Sequence, residues 1–126
     1  MSARSHSREA LLRFADRDAM GHVNSLKLAE LIEDARLDFL AGIPLARDVE
    51  WRLVSLRVDF HAQPVAARRL VTRSVVSRIG NSSFDMSHEI FEDDLLVASG
   101  LSVLVQVDPR KGVSSALSGA QKSCLT

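Results

Sequence analysis

The sequence predicts an α+β domain in which one long helix lies on an antiparallel sheet of five strands. Three observations lead there. Helical spacing of apolar residues is confined to about Asn24–Leu40, strand-like alternation fills most of the chain after Trp51, and the strand segments are joined mainly by short turns. A chain of 126 residues suits a single domain, here 1–126, that buries enough surface to fold without a disulfide or metal staple.

The elements follow in order. A first short strand is expected around Ala10, Leu12 and Phe14, which alternate with polar or mixed neighbours. Ala15 to Val23 is a loop dense in charge and containing Gly21. Asn24 and Ser25 are helix-capping types, and Gly42 and Pro44 supply the stop signals for the helix they open. The second strand, Trp51 to His61, places Val54, Leu56, Val58 and Phe60 on one face, and Pro64 ends it. Leu70 to Ile79 is the third, stopped by Gly80 and Asn81. Ser83 to Phe91 sets Phe84, Met86, His88 and Ile90 on one side, Glu92 to Asp94 turn the chain, and Val97 to Val107 closes the set. The core is expected to span about residues 8–113. The first six or so residues and the tail 114–126, rich in Ser, Gly and Ala, are expected to be flexible.

The helix pattern is unusual. Leu28, Leu31, Ile32, Ala35 and Phe39 form one apolar stripe, while Leu26, Leu37 and Leu40 form a second on nearly the opposite side. A helix resting on a sheet needs one stripe. This one should therefore be wrapped by a curved sheet or covered by a second subunit. Glu33 falls within the second group, where a carboxylate is costly unless partnered, and pairing with Arg36 is the simplest relief.

Composition narrows the function classes. The formal net charge is +0, which leaves no global field for nucleic acid or an anionic membrane. The lone Cys124 excludes an internal disulfide, and no Cys/His cluster has zinc-ligand spacing. The polar start, Met1 to Glu9, is unlike a signal peptide, and the apolar-rich stretch Val97–Val107 is too short to span a bilayer. A cytoplasmic protein without metal or redox cofactor is expected.

The loop from Phe14 to Asn24 carries the chemistry. There a strand, a charged loop and a helix start meet within a few residues. Helix starts offer unpaired N–H groups and a positive dipole end, which suit the oxyanion that forms in acyl transfer. A carboxylate on the preceding loop could attack a carbonyl or take a proton from attacking water, with His22 and Asn24 positioning water or substrate.

Asp16-Arg17-Asp18-Ala19-Met20-Gly21-His22-Val23-Asn24 followed by Glu33-Asp34-Ala35-Arg36 resembles the 4-hydroxybenzoyl-CoA thioesterase-like group of hot-dog-fold proteins. Asp59-Phe60-His61-Ala62-Gln63-Pro64, the turn Ile79 to Phe84 and the closing Val107-Asp108 fit the same resemblance, which covers roughly Arg8 to Val113. It implies a sheet wrapped around one long central helix, an acyl-CoA substrate with coenzyme A as part of it, and protomers joined sheet edge to sheet edge as a homodimer or a dimer of dimers. It also implies Asp18 as the catalytic carboxylate, acting as nucleophile or general base, with the amides near Asn24 and Ser25 polarising the thioester carbonyl. His22, Asn24 and Glu33 are secondary catalytic candidates, and Asn24 is equally a helix cap. Gly21, Ser25, Arg68, Arg69, Asn81, Ser82 and Ser83 are candidates for substrate contact, since arginine forks suit the phosphates of CoA. Two departures stand out: Ser25 and Leu28 replace the group's usual Asn and aromatic, and Val65-Ala66-Ala67-Arg68-Arg69 replaces its usual turn. A non-hydrolytic acyl-CoA or acyl-carrier-protein binding module, or a hydratase of the same fold, stays open at this point.

Overall fold

The computed structural model describes residues 4–44, 49–64 and 69–126. Strand β1 (Ser5–Leu11) leads through a single turn of 3₁₀ helix at Phe14–Asp16 into helix α1 (Ser25–Ala41). Strands β2 (Glu50–Phe60), β3 (Arg69–Ile79), β4 (Ser83–Glu92) and β5 (Leu95–Val107) follow, and a short helix α2 (Gly119–Leu125) closes the chain. The sheet order is β1-β3-β4-β5-β2 with every neighbouring pair antiparallel. Helix α1 therefore carries the chain from one sheet edge to the other while packing on one face. This is the hot-dog arrangement, with the sheet covering one side of the helix.

The predicted stripe of α1 is the buried one: Leu28, Leu31, Ile32, Ala35 and Phe39 all lie in the core. Close approach is helped by Gly100 on β5, where a Cβ would come within 2.7 Å of Ile32 Cδ1. The apolar core falls into two halves. Near the start of α1, Val23, Leu28, Leu31 and Ile32 pack on Leu70, Ile90, Val97 and Ala98. Near its end, Phe39, Leu40 and Ile43 pack on Val76, Phe84, Met86 and Leu104.

Each of four elements places a buried polar side chain between those halves: Arg36 on α1, Ser74 on β3, His88 on β4 and Ser102 on β5. They form a chain. Arg36 Nη1 donates to Ser102 Oγ at 3.4 Å, Ser102 Oγ lies 2.9 Å from His88 Nε2, and His88 Nδ1 lies 2.7 Å from Ser74 Oγ. With the ring proton on Nδ1, Ser102 donates to Nε2 and Nδ1–H donates to Ser74, so the neutral imidazole is satisfied on both sides.

Four expectations need correction. First, β1 runs from Ser5 to Leu11, earlier than Ala10 to Phe14, and Phe14 is 91% exposed. Backbone pairing from Ser5↔Val75 to Leu11↔Arg69 sets this strand. It meets α1 through charge, with His6 Nε2 at 2.8 Å from Asp38 and Arg8 at 3.6 Å from Asp34, so no apolar alternation marks it. Second, β2 shows no single buried face. Its register shifts between Leu53 and Ser55, and Leu53, Val54, Leu56 and Phe60 are all exposed along the sheet edge. A bulge of this kind breaks the two-residue period. Third, Leu40 of the second helix group is buried, leaving Leu26 and Leu37 outside.

Fourth, residues 114–126 pack. Leu117 N–H donates to Asn81 O, Ser118 and Gln121 form a reciprocal capping box, and Leu117 and Leu125 are buried in the second half of the core. A two-turn helix with two apolar anchors leaves little periodicity to read. Among the described residues no helix is long and apolar enough to cross a membrane.

The buried ring at the seam has a measurable consequence. Burial first, and the Arg36 charge second, hold the His88 pKa down to about 4. The unfolded chain takes up a proton near pH 6.5 and the folded chain does not, so stability is complete above that pH and is lost as pH falls towards 4. The total is about 3 kcal/mol. Urea midpoints should drop between pH 7 and pH 4.5 in the wild type and much less in His88→Gln; equal drops would refute the assignment.

Candidate active site

The loop between the 3₁₀ turn and α1 is built by its own backbone. Asp18 N–H donates to His22 O at 2.7 Å, Gly21 N–H to Asp18 O at 3.0 Å, and an isolated bridge joins Arg17 to Val23. Gly21 adopts φ +81°, a left-handed conformation that glycine takes without strain, which closes the turn. Asp18 Oδ1 accepts from the amides of Met20 (2.9 Å) and His22 (3.0 Å). The carboxylate is thus held in one orientation by main-chain donors. Asp18 and His22 are both exposed, and neither lines a described groove.

The helix start is capped and nearly satisfied. Asn24 Oδ1 accepts from Leu26 N–H at 2.9 Å, and Asn24 O accepts from Lys27 and Leu28 N–H. The Asn24 amide itself donates to Asp16 O at 2.8 Å. The Ser25 N–H is the amide of this first turn for which the described residues provide no partner. Where sequence reasoning offered both Asn24 and Ser25 amides as carbonyl donors, the geometry favours Ser25.

Asp16 anchors the loop. It is buried, its carboxylate accepts from Arg13 N–H at 2.7 Å and Arg13 Nη2 at 3.2 Å, and Lys27 Nζ stands 3.8 Å away. The Arg13 backbone hydrogen bond, with help from the Arg13 side chain and Lys27, holds its pKa below the usual carboxylate range.

The other candidates scatter. Glu33 sits roughly 14 Å up the helix axis from Asn24, exposed, with Oε1 3.8 Å from Arg36 Nη2. It does not join the loop cluster. Arg69 lies at the loop's end of the sheet, opposite Leu11, and pairs with Glu9. Arg68 falls outside the described residues. Asn81, Ser82 and Ser83 form the β3–β4 turn at the other end of the sheet, roughly 30 Å along β3 from the loop. There Asn81 O and Ser82 O accept from Leu117 and Gln106 N–H. Within one chain, Asp18 and this turn are not brought together. The remaining strand arginines have partners, Arg78 in Asp85 and Arg73 over the Phe91 ring.

Sequence reasoning missed Arg36 as a buried group. It is 4% exposed and borders a groove of about 360 Å³ between α1 and β2. Burial lowers its pKa, opposed by Glu33. The signal was present: Leu28, Ile32, Arg36 and Leu40 are spaced by four, one ridge of the helix, and its other three members are apolar. A second, smaller groove of about 170 Å³ at the helix start is lined by Asp16, Asn24, Leu26, Lys27 and Glu30. Among the described residues no three His, Cys, Asp or Glu gather as a metal site.

A family model described as the thioesterase-like superfamily matches residues 12–123. No curated protein matches the chain significantly. A predicted thioesterase from Bacillus stearothermophilus superposes with a TM-score of 0.87 at 19% identity, covering 97% of this chain and 94% of its own. A thioesterase from Thermus thermophilus, solved with coenzyme A and Zn, does so at 0.83 and 24% identity, over 94% and 90%. A 4-hydroxybenzoyl-CoA thioesterase mutant, complexed with 4-hydroxybenzoyl-CoA, reaches 0.83 at 16% identity, over 98% and 100%. At such identities these structures establish the shared fold.

The low pKa of Asp16 gives the loop an acid limit. A carboxylate with a depressed folded pKa stabilises fully above its unfolded value and loses that contribution as pH falls through the folded one. Thermal unfolding of the wild type should therefore steepen in pH dependence below about pH 4, beneath the His88 window. Asp16→Asn should flatten that lowest limb; an unchanged limb would assign it to other carboxylates.

Proposed function

As a member of the thioesterase-like superfamily this chain is a thioester hydrolase, and we propose that it splits an acyl-CoA into free acid and CoA with Asp18 as nucleophile or general base. The observation that carries this reading is the pairing, within one loop and the helix it opens, of a carboxylate oriented by main-chain amides and a Ser25 N–H that has no partner among the described residues. The amide would polarise the thioester carbonyl and take the negative charge that develops on its oxygen. Asp18 would add to the carbonyl carbon directly, or take the proton of the water that does, and the CoA thiolate would leave. Gly21 and His22 shape the turn that aims Asp18, and Asn24 fixes the helix start. A cytoplasmic setting belongs to the same proposal, supported by the single thiol.

The chain exposes several large apolar side chains. Leu26 is 76% exposed, and Leu37 of α1 with Val54 and Phe60 of the edge strand β2 are uncovered too. Exposed apolar rows and an unpaired strand edge invite a partner strand. A second copy, joined through β2 by a two-fold axis, would cover them. Antiparallel pairing of the two β2 strands would bring the β3–β4 turn of one copy towards the Asp18 loop of the other. Asn81, Ser82 and Ser83 could then contribute to a shared site.

Two measurements check these readings. Asp18→Asn keeps an Oδ1 acceptor for Met20 and His22, so the variant should fold normally and lose about 10²–10⁴ in kcat on acyl-CoAs in a thiol-release assay. Retained turnover would remove Asp18 from the chemistry; tight acyl-CoA binding by the wild type without thiol release would favour the binding-module alternative. Light scattering at micromolar concentration should show at least a dimer, and a monomer would contradict the edge-paired assembly.

A further inference from the structure

The β3–β4 turn closes on its own, because Gly80 N–H donates to Ser83 O at 2.7 Å. Two further hydrogen bonds reach it from outside the hairpin. Gln106 N–H donates to Ser82 O at 2.9 Å, and Leu117 N–H donates to Asn81 O at 2.8 Å. Gln106 lies near the end of β5 and is buried. Its remaining polar groups are all committed to the C-terminal segment. The main-chain O accepts from Ser115 N–H at 2.9 Å, Nε2 donates to Ala116 O at 3.1 Å, and Oε1 accepts from Gln121 Nε2 on α2. One residue thus ties the turn to the end of the chain. Burial of Leu117 and Leu125 could hold that segment down without a polar hub. A buried amide matched at both ends adds direction. With its carbonyls taken, the turn still offers the Asn81 amide and the Ser82 hydroxyl. Neither has a partner among the described residues.

We propose that the C-terminal segment is a positioning clamp acting across the dimer: through Gln106 and Gln121 it aims Asn81 and Ser82 at the coenzyme A portion of substrate held by the other copy. The inference rests on the acyl-CoA reading and the edge-paired dimer above. Gln106 and Gln121 touch no substrate and act through the turn. Released from the clamp, the turn would sample several orientations, and affinity falls by the fraction of time spent in the competent one. The loss is one of binding. The turn lies at the far end of its own protomer from Asp18 and would meet the partner's substrate away from the thioester carbonyl, so KM changes and kcat does not.

The test uses octanoyl-CoA with Gln106→Met and Gln121→Met. Each should raise KM about threefold to tenfold, the range for one or two neutral hydrogen bonds, and leave kcat within about twofold. Gln121 sits on the last helix, so its variant gives the answer even where the Gln106 variant loses its fold. Val76→Ala removes packing in the same half of the core and should lower Tm without moving KM. An unchanged KM in both glutamine variants, or an equal rise in Val76→Ala, would overturn the clamp. A mixed dimer of one Asp18→Asn copy and one Gln106→Met copy separates action across the dimer from action within a chain. Its single working site joins the intact Asp18 of one copy to the intact turn of the other, so KM should return to the wild-type value at half the kcat. A KM that stays raised would confine the effect to one chain and sink the proposal. Calorimetry with coenzyme A itself keeps this apart from the hydrolase reading. Wild type that binds coenzyme A without releasing thiol from octanoyl-CoA would sink hydrolysis. The clamp would then stand if Gln106→Met weakens coenzyme A binding by the same factor, and fall if affinity is unchanged.

Discussion

Burying the guanidinium of Arg36 beneath the middle of α1 obliges the sheet to present polar groups there, and the rest of the core is arranged around that requirement. Ser102, His88 and Ser74 answer from three adjacent strands. Sliding α1 by one turn would set the cation against Met86 or Ile90, its neighbours on either side in the two apolar halves. An unpaired buried charge costs several kcal/mol. The seam thereby fixes the helix along its axis, while the contact between Ile32 and the Gly100 position fixes its height above the sheet.

How far the sequence anticipates this depends on which force sets each element. Helix α1, β3, β4 and β5 are set by burial of apolar side chains, and periodicity locates them within a few residues. Strand β1 faces the helix with His6 and Arg8, so its pattern is electrostatic and alternation misplaces it. The bulge in β2 scrambles its two faces. The seam itself was half visible: the strand alternation places His88 inward, and the ridge of fours places Arg36 inward, but their meeting needs the strand register.

The candidate site shows the same division. Asp18, Gly21, His22 and Asn24 lie together because the eight-residue loop 17–24 closes on itself through local hydrogen bonds, although the role given to Asp18 came from family likeness. The assignment of Asn81 to Ser83 to the same site rested on family likeness, and antiparallel topology puts that turn at the opposite end of the sheet. Alternation within a strand says which face a residue occupies and nothing about which end of the domain it reaches. One chain therefore presents an oriented but exposed carboxylate, a bare amide and an open groove, with apolar surface beside them.

The position of Leu125 bears on how the protein can be made. Among the described residues, the buried members of one half of the core all lie between Val23 and Ala98, with Ala10, Leu12 and Val58 packed against them. The other includes Leu117 and Leu125, in one cluster with Phe84 and Leu104. A chain emerging from the ribosome in order can assemble the first half early, but the second stays open until residue 125 has cleared the exit tunnel. During that interval the nascent polypeptide carries an unplugged apolar cleft, and chaperones would have their longest opportunity there.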